Sequence, residues 1–150
     1  MADSFSQLYI HLVFAVQGRH AQIEKSWKQE LYSYIAGIIK NKGNKPIIIN
    51  GTEDHVHIFF GLNPKNAISD LVRDIKNNSS NYIHEKNYLK GRFYWQEGYG
   101  AFSYSHSQIN DVYNYIQNQE KHHASKSFRE EYITMLQKYD IIFDMGKIFE

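Results

Sequence analysis

Two histidines one residue apart, His55 and His57, sit inside the run His55-Val56-His57-Ile58-Phe59-Phe60. Side chains alternate faces along a β-strand, so both imidazoles point one way while Val56, Ile58 and Phe60 point the other way, into a core. Two neutral imidazoles held side by side on a rigid strand make half a site for a divalent cation. Taken alone, the pair reads more readily as two ordinary histidines on a half-solvated sheet. A second group, Tyr115-Ile116-Gln117-Asn118-Gln119, tips the reading towards chemistry. In the segment 107–120, Ile109, Val112, Tyr113 and Ile116 recur at i, i+3, i+4 and i+7, the stripe of an amphipathic helix. Tyr115 falls about 110° from the centre of that stripe, and Gln119 lies about 40° from Tyr115, one turn along. Tyr113 therefore reads as core, and Tyr115 as an exposed phenol with a carboxamide beside it. Imidazoles, an amide oxygen and a phenol are the parts of a metal-assisted phosphoryl transfer to tyrosine. The cation polarises the phosphate, and the phenolate attacks in line to give a covalent phosphotyrosine. Gln119 would add an oxygen ligand suited to a hard cation, Mg²⁺ or Mn²⁺.

The elements that must hold these residues follow from hydrophobic period. Leu8, Ile10, Leu12, Phe14 and Val16 alternate along a strand. Residues 26–41, with Ser26 as cap and Trp27, Leu31, Tyr34, Ile35 and Ile38 on the apolar side, predict a helix ending near Lys42-Gly43. Pro46-Ile47-Ile48-Ile49-Asn50, a Gly51-Thr52 turn and residues 54–60 read as a hairpin. Residues 66–85 predict a second helix, with Ile68, Leu71, Val72 and Ile75 inward. Residues 93–104 read as a strand region broken by Gly98 and Gly100. The order β-α-β-β-α-β predicts an α+β, ferredoxin-like (RRM-like) antiparallel sheet with helices on one face, followed by the tyrosine-bearing helix. His55 and His57 then face away from the two packing helices, where the tyrosine helix of this or a partner chain approaches.

Residues 128–136 read as a further helix, followed by the extended stretch Tyr139-Asp140-Ile141-Ile142-Phe143; the helix is assigned to packing or dimerisation rather than catalysis. His122 and His123 are rival metal ligands. Adjacent helical residues point about 100° apart and chelate poorly together, so they read as phosphate contacts or solvent-facing groups. His11 reads as structural.

Five segments carry a family resemblance. Glu53-Asp54-His55-Val56-His57-Ile58-Phe59 resembles the His-hydrophobic-His motif of the HUH endonucleases. Tyr115-Ile116-Gln117-Asn118-Gln119 resembles the Tyr-x-x-x-Gln helix of their single-tyrosine transposases, the TnpA type of the insertion-sequence two-hundred family. Tyr9-Ile10-His11-Leu12-Val13-Phe14-Ala15-Val16 is similar to the opening strand of those proteins. Residues 71–80 are similar to the helix after the histidine pair, and Trp95-Gln96-Glu97-Gly98-Tyr99-Gly100 to the strand before the tyrosine helix. Order and spacing agree over roughly residues 5–123, which leaves a C-terminal helix and tail at about 124–150. The resemblance implies a transposase that cleaves single-stranded DNA at folded insertion-sequence ends. It joins the tyrosine to the 5′ phosphate, frees a 3′ hydroxyl and reseals to another end, using Mg²⁺ or Mn²⁺ and no nucleotide cofactor. By position it implies His55, His57 and Gln119 as ligands and Tyr115 as nucleophile. It also implies a homodimer in which one subunit's tyrosine helix is able to complete the other's metal site, with assembly in cis or in trans left open.

Composition bounds the rest. The chain has 150 residues and no cysteine, with 42% hydrophobic and 15% aromatic residues. One domain with a buried core is expected, without disulfides or thiolate chemistry, in keeping with a cytoplasmic setting. No run approaches the roughly 18 apolar residues of a membrane span, and the start lacks the pattern of a signal peptide. The net charge of +1 does not advertise a nucleic-acid binder, but residues 1–92 carry 12 Lys and Arg against 8 Asp and Glu. Arg73, Lys76, Lys90 and Arg92, with Lys40, Lys42, Lys45 and Lys86, are candidate phosphate contacts; a solvated surface of mixed sign explains them equally. Twelve tyrosines and nine phenylalanines offer stacking partners for unpaired bases, although most must be core. Two alternatives remain open at this stage: a non-catalytic ferredoxin-like nucleic-acid-binding regulator derived from a transposase, and a replication-initiator nickase of the same chemistry.

Overall fold

The computed structural model describes residues 3–19 and 22–149. Its centre is a four-stranded antiparallel sheet in the order β2-β3-β1-β4, built from β1 (Tyr9–Ala15), β2 (Lys45–Gly51), β3 (His55–Gly61) and β4 (Gly100–Tyr104). With α1 (Lys28–Asn41) after β1 and α2 (Ile68–Glu85) after β3, this is the ferredoxin-like arrangement that the element order predicts.

On one sheet face, Ile10, Leu12 and Phe14 of β1 and Val56, Ile58 and Phe60 of β3 meet the inner faces of both helices. α1 contributes Leu31, Ile35 and Ile39 at i, i+4 and i+8, and α2 contributes Leu71, Val72 and Ile75. The period-2 and period-3.6 patterns thus converge on one continuous apolar layer. Three expectations need correction here. Ser26 is not the cap, because α1 begins at Lys28 with Trp27 before it and no side-chain cap bond. Tyr34 is on the outside of α1, stacked flat on Tyr82 at 4.2 Å. The strand expected over 93–104 is only Gly100–Tyr104; Trp95 makes a single bridge to Val16, and Gly98 turns the chain with φ +83°.

The other face is covered by the chain that follows β4. α3 (Ile109–Gln117) seats Val112 and Ile116 against Phe59. α5 (Phe128–Lys138) seats Phe128, Tyr132, Met135 and Leu136 against Val13, Ala15 and Phe102. Gly100 allows that docking, since a Cβ there would lie 2.8 Å from the Tyr132 ring. The expected single helix over 107–120 is interrupted: Asn118 leaves helical geometry (φ −96°, ψ 26°), and a short α4 (Gln119–His122) resumes beyond it. Asn50 of β2 holds this break, its amide donating to the carbonyls of Ile116 (2.9 Å) and Gln117 (3.1 Å) at the helix end. Tyr113 also needs correction. It is 37% exposed, so the buried stripe of α3 is narrower than its period suggests and runs through Val112 and Ile116. No described helix is long and apolar enough to cross a membrane.

Candidate active site

Between those two apolar clusters lies a polar one. His57 has Val13 opposite it on β1 and Phe59 two residues along its own strand, so apolar side chains flank it on both sides. His55 and His57 are both fully buried, far from the half-solvated state that an isolated pair suggests. The hairpin fixes where β3 begins: a Cβ on Gly51 would fall 2.1 Å from the His55 carbonyl oxygen, so only glycine lets β2 close onto it.

Each imidazole is held by one nitrogen and offers the other. His55 Nδ1 meets Asp54 Oδ1 at 2.8 Å and Thr52 Oγ1 at 3.1 Å, which turns Nε2 towards Gln119 Oε1 at 3.0 Å and Glu131 Oε1 at 3.4 Å. His57 Nδ1 meets His11 Nε2 at 2.7 Å, and its Nε2 meets Glu131 Oε1 at 3.1 Å. A proton on His57 Nε2 donates to that carboxylate, so Nδ1 accepts from His11, and the buried His11 Nδ1 is left as an unpartnered bare nitrogen. His11 thus orients His57, a structural role that matches its expected one.

Gln119, fully buried at the start of α4, donates from Nε2 to Glu131 Oε2 at 3.1 Å. The Tyr115 hydroxyl donates to the same Oε2. The Tyr115 ring is half-buried, stacked on His122 at 4.9 Å and edge-on to His57 at 6.0 Å. His123 Nε2 lies 3.0 Å from Glu131 Oε1. A cleft of about 510 Å³ opens onto this cluster, with Tyr115, His123 and Glu131 in its wall and Lys126 and Lys138 also lining it. That is room for a nucleotide-sized group.

Electrostatics follow from burial and from the one carboxylate. Burial raises the cost of charge on Glu131, but hydrogen bonds from His123, His55 and His57 outweigh it and hold the carboxyl well below its usual range. Burial alone would lower His55; its bonds to Asp54 and Glu131 prevail and push it up to about 9. His57 is lowered by burial, which Glu131 only partly opposes, and His11 is lowered by burial and by His57. Burial, then the Glu131 charge, push the Tyr115 phenol well up. The cluster therefore stores a protonated His55 beside an ionised Glu131. The donor set suits a divalent cation, with ligand atoms of His55, His57 and Glu131 within 4.8 Å of one another and the Gln119 oxygen against His55.

Comparison with known proteins decides what this geometry belongs to. The profile of the family described as "Transposase IS200 like" matches residues 4–119. The chain belongs to the IS200-like transposases. It is 27% identical over 118 residues to the ISDra2 transposase TnpA of Deinococcus radiodurans, covering 75% of this chain and 84% of that one. Among solved structures, a candidate transposase from Deinococcus radiodurans superposes with a TM-score of 0.61 at 23% identity, over 79% of this chain and 95% of the other. A REP-associated tyrosine transposase bound to a REP hairpin gives a TM-score of 0.60 at 16% identity, over 82% and 74%. Both share the fold.

Within this IS200-like transposase, the four residues expected at the site (His55, His57, Tyr115 and Gln119) come together in one chain. The four basic candidates lie elsewhere. Arg73 and Lys76 are on α2, across the sheet from the histidines. Arg73 pairs with Asp70 and Asp74, and Lys76 donates to the carbonyls of Gln96 (2.8 Å) and Gly98 (2.6 Å), where burial lowers its ammonium to about 8. Lys90 and Arg92 sit in the exposed turn after α2. Two residues assigned elsewhere from sequence prove to be in the cluster. His123, expected at phosphate or in solvent, packs on His55 and Glu131. Glu131 comes from the helix that was assigned only to packing or dimerisation. Its signal is present in retrospect: Phe128, Glu131, Tyr132 and Met135 fall at i, i+3, i+4 and i+7, so a carboxylate occupies a stripe position.

Proposed function

We propose that this chain is a DNA transposase that cleaves and rejoins single-stranded DNA through a 5′-phosphotyrosine on Tyr115, with a divalent cation, Mg²⁺ or Mn²⁺, held by His55, His57 and Gln119. The observation that carries the reading is one carboxylate shared between the two groups: Glu131 takes a hydrogen bond from the Tyr115 hydroxyl on Oε2 and faces His57 Nε2 with Oε1. Nucleophile and ligands are thereby locked in a common frame, and the cleft gives DNA access to it. When bound, the cation polarises the scissile phosphate and neutralises its developing charge.

The chain's own groups do the rest. The phenolic proton of Tyr115 passes to the Glu131 carboxylate that already accepts its hydrogen bond, and the phenolate oxygen bonds to phosphorus. The bond from phosphorus to the 3′ oxygen breaks, and that oxygen leaves as a free hydroxyl once it gains a proton. Resealing reverses these changes with a new 3′ hydroxyl as attacker. The stack of Tyr115 on His122 and the Glu131 bond fix the phenol until DNA binds. Lys126 and Lys138, which line the cleft, would meet phosphates of the cleaved strand. Arg73, Lys90 and Arg92, exposed on the far side, would instead contact the folded part of the DNA; Lys76, already tied to two carbonyls, contributes less. A homodimer belongs to this reading, and the packing of α3 on its own sheet supports a site assembled within each subunit.

The test is to incubate the protein with single-stranded DNA from the flanks of its own gene and Mg²⁺ or Mn²⁺, then resolve covalent adducts under denaturing conditions. An adduct that maps to Tyr115 supports the reading. DNA binding without any adduct would point to a binding regulator instead. For the dimer, mixing Tyr115→Phe with His55→Ala subunits should leave activity absent; restored cleavage would mean that partners exchange helices.

A further inference from the structure

The family match ends at residue 119, yet two donors from beyond it, His123 and Glu131, face the same point as His55, His57 and Gln119. We infer that His123 Nε2 and Glu131 Oε1 are additional ligands of the proposed ion, giving a site of three imidazoles, one carboxylate and one amide that selects Mn²⁺ or another transition metal over Mg²⁺. The inference rests on the ion site proposed above and extends it into the C-terminal segment.

Geometry supports it. Three imidazole Nε2 atoms surround the single oxygen Glu131 Oε1 at 3.1 Å (His57), 3.4 Å (His55) and 3.0 Å (His123). Neighbouring donors on one five- or six-coordinate ion at ~2.1 Å stand roughly 3.0 Å apart, so small shifts turn these separations into those of co-ligands around a cation. Two of the imidazoles already have their other nitrogen engaged, His55 by Asp54 and Thr52 and His57 by His11, the outer support that ligating histidines characteristically have. Glu131 is 4% exposed, and His123 is packed edge-on against the His55 ring at 4.6 Å. A carboxylate buried this deeply needs either several donors or a cation, and in this position it can have both.

Chemistry then sets the ion. Mg²⁺ prefers oxygen ligands and retained waters, whereas affinity for a site with nitrogen donors rises along the first row from Mn²⁺, with imidazole suited best to Fe²⁺, Ni²⁺, Cu²⁺ and Zn²⁺. Three nitrogens against two oxygens is a poor cage for Mg²⁺. The ion would also fasten α5 to the sheet, since Glu131 is the only polar link from that helix to the histidines among the described hydrogen bonds.

The test uses the full chain, stripped of metal by chelation and titrated with MnCl₂ and with MgCl₂ by calorimetry, together with pulsed electron paramagnetic resonance on the Mn²⁺-loaded wild type. The wild type should show three bound imidazole nitrogens and should bind Mn²⁺ at least tenfold more tightly than Mg²⁺. His123→Ala should lower the count to two. His123→Ala and Glu131→Gln should each weaken Mn²⁺ binding by at least ~10-fold, since loss of even an outer partner of a ligand costs ~10–100-fold. The wild-type nitrogen count needs no variant to fold. A wild-type count of two, or either variant binding Mn²⁺ as tightly as wild type, overturns the inference. If His57→Ala alone loses binding, the smaller ion site stands without these two residues. If His57→Ala also binds normally, the proposed ion site itself is wrong.

Discussion

The two faces of the sheet are built on opposite principles. Under α1 and α2 the buried side chains form one continuous apolar layer, from Ile10 and Phe60 to Leu31 and Ile75. Under α3 and α5 the apolar contacts divide into two small clusters, and the gap between them holds His11, His55, His57, Gln119 and Glu131. The first face gains stability by removing apolar area from water. The second spends part of its interior on charged and polar groups that are tolerable only because they satisfy one another. Stability and chemistry are thus separated by the thickness of one sheet, and β1 and β3 contribute alternate residues to each.

The comparison is sharpest at the nucleophile. Tyr115→Phe is expected to remove covalent DNA attachment altogether while lowering stability by about 1.5–3 kcal/mol, the worth of one hydrogen bond to a charged group. Gel detection of adducts beside urea unfolding separates the two effects. An adduct persisting on another tyrosine would break the assignment. On the opposite face the outcome should invert. Phe60→Ala, which empties a fully buried position, should cost about 3–5 kcal/mol in the same unfolding assay and leave metal binding by the folded fraction unchanged.

Acidity separates the faces as well. In the metal-free protein His55 is raised from 6.5 to about 9, so the folded state holds a proton that the unfolded chain releases. The stabilisation is complete below about pH 6.5 and disappears as the pH rises through 9, with about 3 kcal/mol as its upper limit. Denaturant midpoints measured across that window with chelator present should fall, and His55→Gln should flatten the curve. Cation binding should tighten over the same range, because a ligating imidazole must lose its proton. The smallest effect is expected at Tyr113. Its ring is exposed on α3, so Tyr113→Ala should change stability by no more than ~0.5 kcal/mol. A loss of several kcal/mol would mean that this face is closed by more than Val112 and Ile116.

Much of this was legible in sequence because it is written in short spacings. The i, i+2 histidines and the alternation of β1 and β3 fix faces without any tertiary knowledge, and the apolar periods of α1 and α2 place both helices. The Tyr115 and Gln119 pair was legible for a different reason than expected. The helix does not run through both residues, but the break at Asn118 still delivers Gln119 to His55. Tyr113 was misread because period alone cannot say how wide a groove the sheet offers, and the groove beside Phe59 takes only two side chains deeply. Glu131 and His123 depend on contacts that span the chain. α5 docks where Gly100 clears room for Tyr132, and only then does its carboxylate meet His57, 74 residues away in sequence.

Asn50 carries a consequence for anyone who rebuilds this protein. Its carboxamide, on a strand otherwise remote from catalysis, takes up the two carbonyls where α3 stops. The distance from nucleophile to glutamine is therefore set partly by a residue outside the segment that bears them. A chimera that moves residues 109–122 into another scaffold would carry the parts without the clasp. The transferable module is discontinuous, the helical segment plus position 50, and recombination that respects this pairing should conserve the site's dimensions where a contiguous graft would let them drift.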